Sequence, residues 1–196
     1  MAESQPFRLI LASGSPARRE LLRLAGYTFE VLPANIDEPG GEDFSDPRVM
    51  VQHTAWLKAA AVAPMVAEGV VLTADTVGWI DGQAIGKPAD EPDARRILRL
   101  LGGTEHELWT GVCLWKRPGD VQLAWQEMTR VAFKRLTDSE LETYLRTRQW
   151  EGCSGAYAIQ EKDDPYVRVI EGSQSNVVGL PMESLEKILA QLIEIQ

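Results

Sequence analysis

Histidine and cysteine are scarce in this chain. Its 196 residues include two of each: His53 and His106, Cys113 and Cys153. The cysteines form no CxxC pair, which excludes a disulfide-rich scaffold and fits a reducing compartment. Two scattered histidines are too few for a zinc site, and neither lies in a recognisable Ser-His-Asp or Cys-His arrangement. Long apolar runs are also lacking. No segment approaches the roughly 20 apolar residues of a spanning helix, so no membrane contact is expected. The N-terminal MAESQPFRLI lacks the basic stretch and apolar run of a signal peptide, and the expected location is cytoplasmic. Excess positive charge is absent too. A net charge of −9 argues against a nucleic-acid polymer as partner, because such binders carry a basic face. It also makes each clustered cation conspicuous.

What is present fits an ordinary globular chain. Apolar residues make up 44% and charged residues 25%, and the length suits one domain over 1–196 with a sizeable core. Strand and helix patterns alternate, as in an α/β fold. RLILA, 8–12, reads as a buried strand, and residues 16–25 as a helix stopped by Gly26. FEVLPANIDE, 29–38, reads as a strand and then a loop. Residues 47–69 are helical in composition, with Pro64 ending or kinking the helix. VVLTADT, 70–76, is a second buried strand that runs into Asp75, followed by a hairpin turning at Asp81-Gly82. Ala94, Ile97, Leu98 and Leu101 share one face of a helix over 91–103. Residues 105–135 are strand-like, with Val121, Leu123, Trp125, Thr129, Val131 and Phe133 on one parity. Thr137 and Glu140 form a capping box opening a helix to about Arg148. SGAYAIQ and YVRVIEG are strand candidates, and PMESLEKILAQLIEI is a closing amphipathic helix.

Five places carry candidate chemistry. In LASGSPARRELL, 11–22, Ser15 caps a helix whose first position is Pro16. Arg18 and Arg19 then stand where the helix dipole repels cations. The corner is either an ordinary cap with two solvated arginines or an anion site, with Ser13 and Ser15 as donors and Arg18 as a forked cation. Asp75 closes an apolar run, as a turn residue or as a carboxylate for metal or water. GQAIGKP departs from a Walker loop in glycine spacing and in Pro88 after Lys87; Lys87 remains a surface lysine or a phosphate ligand. Asp37 and Glu38 are paired loop carboxylates, solvated or magnesium-binding. Lys58 is the one charge in TAWLKAAAVA, snorkelling or aimed at an anion. Together these cations, acids and hydroxyls suit a metal-bound polyphosphate.

In order along the chain, LASGSPARRELL, FEVLPANIDE, LKAAAVA, LTADTVGWIDGQAIGKP, TEHELWTGVCL, SGAYAIQ and EGSQSNVVGLP resemble the Maf-like nucleoside triphosphate pyrophosphatases. The resemblance spans residues 11–181. It implies an elongated α/β fold with a central mixed sheet flanked by helices and a cleft between two lobes, similar to inosine triphosphate pyrophosphatases. It implies hydrolysis between the α and β phosphates with a divalent cation, magnesium or manganese, and a homodimer. By motif, Asp75 would be the general base and Glu38 a metal ligand. Ser13, Ser15, Arg18, Lys58 and Lys87 would hold phosphates. Arg18, Thr76 and Gln160 resemble the branch preferring dTTP and UTP over 7-methyl-GTP; the Gln160 amide can both donate to and accept from a pyrimidine edge. Two positions depart from the family pattern: Ala17 where an arginine is usual, and Gly152-Cys153-Ser154 where Asp-Lys-Ala is frequent. These favour an alternative, a nucleotide-binding regulator with little catalysis. A pyrophosphatase for inosine, xanthosine or 7-methyl-guanosine triphosphates is a further one.

Overall fold

A computed structural model describes residues 5–157 and 164–194. The chain alternates strands and helices. β1 (Leu9–Leu11), α1 (Pro16–Leu24), β2 (Phe29–Val31) and α2 (Pro47–Val62) come first. β3 (Gly69–Ile80), β4 (Gln83–Ile85), α3 (Glu91–Leu101), β5 (Glu105–Arg117) and β6 (Val121–Phe133) follow. α4 (Asp138–Thr147), β7 (Val167–Glu171), α5 (Gln174–Val178) and α6 (Met182–Glu194) close the fold. The sheet runs β2-β1-β3-β5-β6-β7, with β4 joined to β3. β1 is parallel to β2 and β3, and the remaining pairs are antiparallel. This is the mixed, helix-flanked sheet expected.

Local chemistry sets the helix limits. Ser15 Oγ accepts the Arg18 N–H at 3.4 Å, with Pro16 at the first position. Asp46 caps α2 through the Arg48 N–H at 2.9 Å, and α2 stops at Val62 in a short 3₁₀ turn over Ala63–Met65 that contains Pro64. Thr137 and Glu140 form the reciprocal capping box. α3 buries Ala94, Ile97, Leu98 and Leu101, the four expected.

Two large apolar cores lie toward opposite ends of the long strands. Leu72, Ala74, Val112 and Leu114 join β1, α1 and α6 in one, with Leu185, Leu189 and Leu192. Leu108, Val131 and Phe133 join α3 and α4 in the other. α2 covers the opposite face of the sheet, where Ile10 and Val71 meet Val62 and Ala63. It seats closely because residue 111 is glycine. A Cβ there would stand 2.4 Å from the Val51 carbonyl group.

Three expectations are corrected. The strand expected over 70–76 and the first arm of the hairpin expected after it are one strand, β3, unbroken from Gly69 to Ile80, because the apolar run resumes at Val77 and still pairs with β5. Of the strand candidate SGAYAIQ, residues 154–156 form a 3₁₀ turn with Gly155 and Ala156 at positive φ, and 158–160 lie outside the described residues. α5 was not expected; Ser173 caps it and Gly179, at φ 116, ends it.

Candidate functional site

β1 stops level with Leu72, and β4 joins the same edge of β3 only from Gly78. Among the described residues no strand covers that edge of β3 between them. Asp75 and Thr76 lie in this interval, between the two cores. This interval follows the carboxyl end of β1, the kind of position at which open α/β sheets bind ligands. The 154–156 turn borders it: Ser154 Oγ donates to the Thr76 carbonyl at 3.2 Å. Successive strand side chains leave opposite faces, so Asp75 and Thr76 divide the expected site residues into two groups.

Ser13, Ser15, Arg18 and Thr76 form the first group. The Arg18 side chain folds back from the first turn of α1. Its Nε donates to the Gly179 carbonyl at 2.7 Å, Nη1 to Ser13 Oγ at 3.2 Å and Nη2 to Thr76 Oγ1 at 3.0 Å. Ser13 Oγ also accepts the Ser15 N–H at 3.2 Å. Both Ser13 acceptor positions are then taken and its own proton is left to donate. Burial lowers the Arg18 pKa, and Asp75 and Glu38 oppose that fall. The two carboxylates offset part of the burial cost of this cation. Arg19 turns away: it is exposed and donates to the Gly14 carbonyl at 3.2 Å.

Glu38, Lys58 and Asp75 form the second group. Lys58 Nζ lies 2.8 Å from Asp75 Oδ1 and 3.0 Å from Glu38 Oε2. The side chains of Lys58 and Asp75 are 10% and 11% exposed, that of Glu38 47%. α2 delivers the lysine, β3 the aspartate and the loop after β2 the glutamate. The carboxylate that converges with Glu38 is Asp75, not the neighbouring Asp37, which is exposed. The Lys58 ammonium bridges one oxygen of each carboxylate; each carboxylate keeps a second oxygen, a hard donor that fits a magnesium-type cation completing its shell with water and phosphate oxygens. Among the described residues no cluster of three or more acidic, histidine or cysteine side chains forms, so an all-protein metal cage is not present there.

Lys87 joins neither group; it is exposed on the loop after β4. Its charge is felt by Cys153, whose thiol pKa burial raises and Lys87 lowers to a lesser degree. Gln160 lies outside the described residues. Three further residues border the site. Thr110, opposite Thr76 on β5, contacts it at 3.0 Å between hydroxyl oxygens and donates to the Asn176 carbonyl at 3.0 Å. Thr110 and Asn176 are fully buried. The signal for Thr110 is its parity: a hydroxyl on the apolar face of β5, between Leu108 and Val112. Ser154, the third, stood out in the sequence only as part of the Gly152-Cys153-Ser154 departure from the family pattern.

The Maf-like protein family model matches residues 8–192. The chain belongs to the Maf-like protein family. A dTTP/UTP pyrophosphatase of Pelotomaculum thermopropionicum is 42% identical, over 92% of this chain and 94% of its own length. One of Rhodopirellula baltica is 43% identical over 94% and 82%, and one of Bacillus cereus 39% identical over 94% and 95%. Among solved structures, the Staphylococcus aureus Ham1 protein is similar with a TM-score of 0.45 and 14% identity, covering 64% of this chain and 71% of its own. Of the positions where this Maf-like chain departs from the family pattern, Ala17 is exposed on α1, and nothing in the structure explains the alanine. No helix among the described residues is long and apolar enough to cross a membrane.

Proposed function

We propose that this chain is a nucleoside triphosphate pyrophosphatase that hydrolyses dTTP and UTP to the monophosphate and pyrophosphate. The observation that carries the reading is the Glu38–Lys58–Asp75 convergence beside the open edge of β3, with the Arg18 corner across the strand. The printed activity of relatives 39–43% identical over most of the chain supports it.

In this reading Ser13, Ser15, Arg18 and Lys58 hold the phosphates, with Lys87 reaching in from its loop. Asp75 accepts a proton from a water that attacks the α-phosphorus in line. The bond from that phosphorus to the oxygen bridging the α and β phosphates breaks, and that oxygen leaves with pyrophosphate. Lys58 orients Asp75 and brings positive charge to the same point. Glu38, with Asp75 beside it, would hold a magnesium or manganese ion, which when bound supplies charge neutralisation to the phosphates. Arg18, Thr76 and Gln160 select the pyrimidine base. A cytoplasmic location and a homodimer belong to the same reading and rest on composition and family resemblance.

Asp75→Asn tests it. The variant keeps the size of the side chain and a hydrogen bond to Lys58 but removes the proton acceptor. Pyrophosphate release from dTTP should fall by about 10²- to 10⁴-fold while nucleotide binding persists. Unchanged turnover would exclude Asp75 as the base.

A further inference from the structure

Thr110 cannot touch a nucleotide, because it is 0% exposed. Its hydroxyl nevertheless sets the state of two residues that border the opening. The Asn176 carbonyl has no proton to give, so Thr110 spends its only one there, at 3.0 Å. Thr110 Oγ1 can then only accept from Thr76, 3.0 Å away. The Thr76 proton is thereby committed, and its oxygen accepts from Arg18 Nη2 at 3.0 Å. Every hydrogen bond from Asn176 to Arg18 has one allowed direction. The backbone behind leaves no slack: a Cβ on Gly179 would lie 3.3 Å from both Arg18 Nε and Thr76 Oγ1. Asn176 is itself anchored, its amide nitrogen donating to Thr129 Oγ1 at 3.0 Å and to the Leu108 carbonyl at 3.3 Å.

We propose that Thr110 is a positioning residue which, through Thr76, holds the Arg18 guanidinium in its ligand-binding orientation. The proposal rests on the reading of Arg18 as a nucleotide-holding cation. A guanidinium has five N–H donors, and Arg18 places three of them on Gly179, Ser13 and Thr76. One N–H on each terminal nitrogen is uncommitted among the described residues and suits a forked acceptor such as phosphate. Removing the Thr110 hydroxyl frees the Thr76 proton to turn elsewhere and loosens one of the three supports. The carbonyl of Asn176 is not orphaned by that change, because it also accepts the Gly179 N–H at 3.0 Å.

The test uses Thr110→Val, which keeps the shape and removes the hydroxyl, with Thr110→Ser, Thr76→Val and the double variant. Equilibrium dTTP binding and steady-state pyrophosphate release are both measured. Thr110→Val should weaken binding and raise KM roughly tenfold, with kcat within about threefold of wild type. Thr110→Ser should stay within about twofold of wild type, and Thr110→Val should add less than about twofold to Thr76→Val. Wild-type affinity in folded Thr110→Val, or effects that multiply in the double variant, would overturn the positioning role. If Thr110→Val does not fold, wild-type affinity in Thr76→Val overturns it alone, since Thr76 is the necessary intermediary. A wild-type chain that binds dTTP without releasing pyrophosphate contradicts the proposed function, yet the binding comparison still decides the role of Thr110.

Discussion

Lys58 is a cation that the fold can bury because two carboxylates meet it. A buried charge without a partner is costly, so this pair gives a prediction that separates stability from chemistry. Lys58→Met leaves Asp75 unpaired in its buried place and should cost about 3 kcal/mol in urea unfolding. Adding Asp75→Asn should recover most of that loss without recovering pyrophosphate release. Equal instability of the single and double variants would show that the lysine acts by packing alone. His106 gives a pH prediction. Its Nε2 lies 2.7 Å from the Tyr157 hydroxyl, Nδ1 has no partner among the described residues, and burial lowers its pKa from 6.5 to about 4. Between those values the unfolded chain binds more protons than the native one. The contribution is therefore whole above pH 6.5 and lost as pH falls toward about 4. Its size is about 3 kcal/mol, at about 1.4 kcal/mol per pKa unit. Urea midpoints measured from pH 7 downward should fall less steeply for His106→Gln than for wild type; equal slopes would contradict the assignment.

At the scale of elements, α2 brings Lys58 to β3 by packing on Gly111. Gly111→Ala sets a Cβ against the Val51 backbone, which must move the helix that carries Lys58. A stability loss of about 1–3 kcal/mol is expected, with a fall in pyrophosphate release. Gly78→Ala is the control, because its nearest contact would be 3.4 Å, at Ile85 Cβ. If the two variants behave alike, the seating of α2 does not govern the site. Much at this scale was legible. Caps such as Ser15 and Thr137 act through neighbours three residues away, and the α3 face follows from its period. The uncovered interval of the β3 edge was not legible from β3 itself. It is set by the length of β1, a different strand, so the polar Asp75-Thr76 step looked like a terminus. α5 was missed because five residues rich in valine show no helical period; its caps, Ser173 and Gly179, define it.

Across the whole molecule, residues far apart in sequence meet where the two cores separate. Ser13, Arg18, Glu38, Lys58 and Asp75 were each open to a bland reading singly, Thr76 entered only through the family resemblance, and their convergence gives them weight. The sequence placed them in one inventory but not in two groups on opposite faces of β3, since that depends on which side chain of a two-residue step faces α2. Above all, this convergence is proposed to cleave dTTP and UTP between the α and β phosphates. The most direct measurement is pyrophosphate release by the wild-type chain, with magnesium or manganese, across dTTP, UTP, CTP, ITP, XTP and 7-methyl-GTP. Release from dTTP and UTP should stand well above the rest. Release of inorganic phosphate in place of pyrophosphate, or preference for CTP or a purine nucleotide, would contradict it.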